Sequence, residues 1–285
     1  MHDIRSYLRD SIDRIDFVVW GLVIVFFQVS AAVYGGDGPM SLLAAIGIIA
    51  AMLLISISIE VLIGTLRNMP GIGTLIGFIT NGPEALVLVI GLLNNDIIFA
   101  ASTPLGSNPM NVLLLLLATM LTGTVAVVWA RKVVYRYLVF IATIAIALSF
   151  YLIPVEMYDA WLIYWLIGVM AVAGIIFATR PGEELPEEEV ALGRIWMLPA
   201  MAVLVGAGVL LDYVVTLASD VSMAPKGVIG FLVLSTMTSW PEFKSTLSLL
   251  RKDMPLAAFL NILVSNITNL WLACVGVLIY WLFSL

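Results

Sequence analysis

The chain has 285 residues, 62% of them hydrophobic and 11% charged, where a soluble domain carries about 25% charged residues. With one histidine, His2 at the N-terminus, and one cysteine, Cys274, the membrane region can hold no histidine metal site, haem or histidine proton relay, and no internal disulfide. The net charge of -6 gathers largely in one loop (Glu183, Glu184, Glu187, Glu188 and Glu189), and nothing in it points to nucleic acid.

Apolar runs of about twenty residues follow one another with short gaps, which is the pattern of membrane-crossing helices. Residues 1–15 are polar and amphipathic, with Arg5, Arg9 and Arg14. A span is predicted at 16–34; its apolar core is too long for a cleaved leader, so it reads as retained and as an extra N-terminal helix. Gly35-Gly36-Asp37-Gly38-Pro39 is a turn sequence. Further spans are predicted at 40–66, 71–95, 98–129 (with Pro104 and Pro109), 133–153 and 159–178. Residues 179–194 form an acidic linker, read as a solvated connector, and three spans follow at 195–217, 225–250 and 255–283. The expected fold is an all-α polytopic membrane protein of about nine transmembrane helices, with a first half at 40–178 and a second at 195–285.

The loop charges test that count. With the N-terminus in the cytoplasm, Arg5, Arg9, Arg14, Arg67, Arg131, Lys132, Arg136, Arg180, Arg194, Arg251 and Lys252 fall inside, Lys226 falls outside, and Lys244 lies within a span. Basic loops belong on the cytoplasmic side, and one missed helix would reverse every later loop. The expected setting is therefore the plasma (inner) membrane, N-terminus cytoplasmic and C-terminus outside.

Two stretches break the apolar pattern, and they match. Thr80-Asn81-Gly82-Pro83-Glu84 is followed by Ser107-Asn108 and Asn111; Thr238-Ser239-Trp240-Pro241-Glu242 is followed by Ser265-Asn266 and Asn269. Every matched pair is offset by 158 residues. The copies start in the third and the eighth predicted spans, five apart and so an odd offset, and are expected to be inverted across the bilayer, as in secondary transporters with interrupted helices.

The chemistry of these stretches suits a cation. Residues four apart share a helix face, which aligns Thr80 with Glu84, Thr238 with Glu242, Ser107 with Asn111, and Ser265 with Asn269. Pro83 and Pro241 each remove a backbone donor and free a carbonyl one turn earlier. Carbonyls, carboxylates, amides and hydroxyls are hard oxygen ligands that fit calcium and also sodium. An acid in the membrane is a functional candidate by default. Asn108 and Asn266 read as ties for broken backbone. Ser239 and Ser245 could equally bond only their own helix backbone. Lys244 is expected to snorkel to the interface, and Glu60 to sit at a solvated helix end.

The two stretches resemble the alpha repeats of the cation/calcium antiporter superfamily, which includes the sodium/calcium exchangers. The residues that carry the resemblance are Pro83-Glu84, Gly106-Ser107-Asn108 and Asn111, then Thr238-Ser239-Trp240-Pro241-Glu242, Ser265-Asn266 and Asn269. It implies Glu84 and Glu242 as calcium carboxylates, Thr80 and Thr238 as carbonyl donors, Ser107, Ser239 and Ser265 along flanking sodium sites, and 40–66 and 195–217 as sliding gate helices. Asn111, Asn269 and Asn81 complete the candidate set. Asn81 stands where sodium-coupled members tend to have serine, and Asn269 where an aspartate is common.

The sequence reading is thus a cation antiporter, not an enzyme, exchanging calcium for sodium by alternating access. No tightly bound cofactor is expected; calcium and sodium (or protons) are carried. The partners expected are the lipid bilayer and inorganic cations, and a monomer is the simplest state. Coupling to protons is the alternative. An ion channel and an intramembrane enzyme are the readings from other classes; a metal-dependent enzyme would need histidines that the membrane region lacks.

Overall fold

The computed structural model describes residues 12, 14–66, 69–93, 97–130, 133–154, 157–183, 192–223 and 239–284. Among them are the α-helices α1 (Arg14–Tyr34), α2 (Gly38–Leu66), α3 (Ile72–Ile79), α4 (Gly82–Leu93), α5 (Ile97–Thr122), α6 (Val125–Ala130), α7 (Val133–Ser149), α8 (Tyr158–Ala178), α9 (Met197–Ser222), α10 (Trp240–Arg251) and α11 (Pro255–Ser284), with 3-10 turns at Phe150–Leu152 and Arg194–Trp196. No strand occurs among the described residues.

Among the described residues, six helical stretches are long and apolar enough to cross a membrane: Arg14–Tyr34, Gly38–Leu66, Pro104–Thr122, Trp161–Ala178, Arg194–Ser222 and Pro255–Ile279; Leu138–Leu152 is apolar but shorter. The chain is an integral membrane protein. On α1 the exposed residues Val18, Leu22, Val25, Val29 and Val33 form an apolar outer stripe, the periodicity of one helix face. A stripe of this kind suits lipid rather than water.

Two expected spans are not continuous helices. Residues 71–95 divide into α3 and α4 at Thr80 and Asn81, where Pro83 removes the donor that would have carried the helix through. Residues 98–129 divide into α5 and α6 at Gly123, whose φ of 70° is a left-handed turn that glycine adopts freely. Of the expected span 225–250, only residues from 239 onward lie within the described part.

The helix α11 is the centre of the packing. It is 67% buried over its apolar window, against 22% for α1 and α8, and it contacts α3, α4, α5, α7, α8 and α10. It lies so close to α3 that a Cβ on Gly73 would overlap the Ala257 carbonyl, and one on Gly77 would sit 2.6 Å from the Asn261 carbonyl. The most extensive pairing is α2 with α9, and α1 packs on both.

The 158-residue offset extends to the helix boundaries. Helix α4 runs from 82 to 93 and α10 from 240 to 251, and α5 and α11 begin at 97 and 255. Contacts pair in the same way: α4–α5 with α10–α11, α4–α9 with α10–α2, and α4–α11 with α10–α5.

Three expectations about charged side chains are corrected. Lys244 does not snorkel: it is 3% exposed, and its Nζ donates to Asp16 Oδ2 of α1 at 2.9 Å, with Asp16 1% exposed. Glu60 is not at a solvated end: its Oε2 is buried against Nζ of Lys252, the residue that follows α10, at 2.6 Å. Glu183 of the linker is not merely solvated, because its carboxylate accepts from Gly73 N (2.8 Å) and from Thr74 N and Oγ1 (3.0 Å each) at the start of α3. A carboxylate there satisfies N–H groups that a helix start leaves unpaired. In each case the partner lies far away in sequence.

Candidate functional site

The two matched stretches place their acids alike. Glu84 lies in the first turn of α4 and Glu242 in the first turn of α10, and both are buried. The Glu84 carboxyl lies within reach of the charge on Glu242. Helices α5 and α11, packed against each other, supply the amides and hydroxyls: Ser107, Asn108, Asn111, Ser265, Asn266 and Asn269 are all buried.

The amides are bonded across the two copies in reciprocal fashion. Asn108 Nδ2 donates to Asn266 O at 3.3 Å, and Asn266 Nδ2 donates to Asn108 O at 3.4 Å. Asn111 Nδ2 donates to Asn266 Oδ1 at 3.0 Å, and Asn269 Nδ2 donates to Asn108 Oδ1 at 3.2 Å. Asn108 and Asn266 meet as counterparts, and the Asn111 and Asn269 bonds mirror one another, a reciprocal pattern like that across a local two-fold axis. Asn108 and Asn266 thus do the tying work expected of them, but between the copies. Asn108→Ala or Asn266→Ala leaves buried groups unpaired and is expected to destabilise the fold by about 1–3 kcal/mol. Detergent-solubilised thermal unfolding checks this, and the two substitutions should cost similar amounts.

Ser265 joins the two halves at the acids. Its Oγ lies 3.2 Å from Glu242 Oε1 and 3.4 Å from Asn81 Oδ1, and it accepts from Asn111 Nδ2 at 3.0 Å. One hydroxyl hydrogen serves one of those two acceptors at a time. Thr80 lies beside the Glu242 carboxyl, with its own Oγ1 outside hydrogen-bonding geometry. The copies differ at the break. Asn81 Nδ2 donates to Gly77 O at 2.6 Å, so the first break closes on its own backbone. Ser239 Oγ, at the matching position, has no partner. Thr238 lies outside the described residues.

Among the described residues the buried side-chain oxygens without a hydrogen-bond partner are Ser41 Oγ, Asn261 Oδ1 and seven from the two matched stretches: Glu84 Oε1 and Oε2, Glu242 Oε2, Asn111 Oδ1, Asn269 Oδ1, Thr80 Oγ1 and Ser239 Oγ. Buried polar atoms are rarely left unpaired. The seven belong to the candidate set read from the sequence, and all are hard donors suited to calcium or sodium. Among the described residues no cluster of three or more histidine, cysteine, aspartate or glutamate side chains occurs. The centre therefore offers two carboxylates among neutral oxygens.

One polar group at this site was missed. Asn261 is fully buried, and its Nδ2 donates to Ser245 Oγ at 2.8 Å and Thr246 Oγ1 at 3.0 Å. The signal was present, since Asn261, Ser265 and Asn269 recur every four residues on one face of α11. Matching the two copies hid it, because its counterpart is Thr103.

Residues 195–283 match the family model described as sodium/calcium exchanger protein. The matched part holds Glu242, Ser265, Asn266 and Asn269, and it agrees with the resemblance to the cation/calcium antiporter superfamily. It supports a transporter of the cation/calcium exchanger type. The first copy lies outside the matched residues and is tied to the second by register and by the reciprocal amide bonds. No curated protein and no solved structure matches the chain.

Proposed function

We propose that the protein is a secondary antiporter that exchanges calcium for sodium at one site, built from Glu84 and Glu242 near the bilayer midplane. The observation that carries this reading is the meeting of two counterpart acids at the starts of two half-helices, amid buried oxygens that lack protein donors. Thr80, Ser239, Asn111 and Asn269 would complete the coordination, with Ser107, Ser265 and Asn81 beside it. A divalent ion is neutralised by two carboxylates. Sodium needs the same oxygens, so one load excludes the other, and exchange follows from that competition.

The copies are read as inverted, with the two-fold axis in the membrane plane. This topology puts at one end the pair that Glu60 makes with Lys252 and the contact of Glu183 with the start of α3. The turn at Gly36 and Asp37 meets Val221 at the other, where Asp37 N donates to Val221 O at 2.8 Å. The first end is the basic one and is placed in the cytoplasm of a plasma membrane.

Proton coupling is the second reading, favoured by one observation: Asn81 closes the first break with its own amide while Ser239 stays open. The halves then need not both hold a sodium ion. Calcium uptake into proteoliposomes under imposed gradients separates the two. An outward sodium gradient is expected to drive uphill calcium uptake that a proton gradient does not. Uptake driven by protons alone would move the coupling to the acids themselves, and purely downhill movement would make the protein a channel.

A further inference from the structure

Helix α10 carries a polar line that the repeat does not account for. Glu242, Ser245, Ser248 and Lys252 follow one another at spacings of three, three and four, which is one helix face. Thr246 adjoins them, and Ser245, Thr246 and Ser248 are buried. The counterparts of Ser245, Thr246 and Ser248 in α4 are Val87, Leu88 and Ile90. The same scaffold is thus built with apolar residues in its other copy, so the fold itself does not require these hydroxyls.

Serines in membrane helices often bond only their own backbone, and Ser245 Oγ does donate to Glu242 O at 3.0 Å. The groups placed on this line go further. Asn261 Nδ2, from α11, lies 2.8 Å from Ser245 Oγ, 3.0 Å from Thr246 Oγ1 and 3.4 Å from Glu242 O. Three oxygens converge on one nitrogen that has two hydrogens, while Asn261 Oδ1 is buried without a partner. At the far end Lys252 Nζ donates to Ser248 Oγ at 2.7 Å and to Glu60 Oε2 at 2.6 Å. The line therefore has a positive pole seated on its oxygens at each end: an amide beside Glu242 and an ammonium at the mouth.

We infer that this face of α10 is the lane by which the transported inorganic cation moves between Glu242 and the Lys252 end, with Asn261 Nδ2 and Lys252 Nζ holding the places a passing ion takes. The inference rests on the proposed cation site at Glu242. Neutral hydroxyls and carbonyls bind an ion weakly enough for it to leave again, which a conduit requires. Displacing Lys252 from Ser248 opens the mouth, and turning the Asn261 amide presents Oδ1 to the ion in place of Nδ2. The lane belongs to one half only, so the route at this end differs chemically from any route at the other.

The test is thiol accessibility in reconstituted protein. Ser245→Cys and, as a second probe, Thr246→Cys are made in a Cys274→Ala background, with Leu88→Cys as the buried control from the other copy. Each is treated with a small cationic methanethiosulfonate reagent, with and without calcium, and with and without Lys252→Met. The lane cysteines are expected to react faster than Leu88→Cys. Lys252→Met should speed them further by about tenfold, which corresponds to about 1.4 kcal/mol of mouth opening, and calcium should slow them. Lane cysteines no faster than Leu88→Cys, even with Lys252→Met, overturn the inference. So does reaction that calcium leaves unchanged while calcium flux still depends on Glu242. Flux that is indifferent to Glu242→Gln overturns the site reading instead.

Discussion

Glu84→Gln and Glu242→Gln are each expected to reduce calcium transport by at least about 100-fold. A carboxylate about 4 Å from a unit charge contributes about 4 kcal/mol at an effective dielectric of about 20, and each 1.4 kcal/mol is about tenfold in affinity. Removing either charge therefore costs more than the site can absorb, even after the bound ion relaxes toward the remaining acid. Glutamine keeps the size and one oxygen, so the change isolates the charge. Both acids lie in first helical turns of matched half-helices, and the two losses should be of similar size. Initial-rate calcium flux into proteoliposomes measures them. A loss confined to one acid would mean that the site belongs to one half.

Asp16→Asn is expected to be the most destabilising single change outside the site. The Asp16–Lys244 pair is almost fully buried, and removing one partner of such a pair costs about 3–5 kcal/mol. Lys244→Met should cost a similar amount. The double change Asp16→Leu with Lys244→Met removes both charges together, and apolar replacement of a buried pair is often near neutral. Thermal unfolding in detergent should therefore show two unstable single variants and a recovered double one. The pair has a directional consequence as well. Lys244 is two residues beyond Glu242, so the two side chains leave α10 on different faces. Fixing Lys244 against α1 turns Glu242 toward α11, where Ser265 meets it at 3.2 Å. Helix α1, which lies outside the two matched stretches, thereby bears on the site through Lys244.

The repeat was legible because its polar residues stand out in apolar helices and because proline has one backbone consequence. Thr80, Asn81 and Pro83 marked a break, and the chain breaks there. The offset of 158 was readable as letters, and it reappears as helix boundaries and as amides bonded to their own counterparts. What stayed hidden was every pairing between distant segments. Nothing near Lys244 in sequence indicates Asp16, and nothing near Glu60 indicates Lys252; local rules about helix ends therefore assigned both to water. Asn261 was hidden for a different reason. Its partners, Ser245 and Thr246, are local to the second half, and a comparison of copies discards what only one copy has.

The claim on which the rest depends is that two acids from two copies make one site. Equilibrium calcium binding to the purified protein, counted as ions per chain, tests it most directly. The expected result is one high-affinity calcium per chain in the unaltered protein and none in either Glu84→Gln or Glu242→Gln. Two ions per chain, or one ion retained after either substitution, would contradict a shared site and leave each copy with a site of its own.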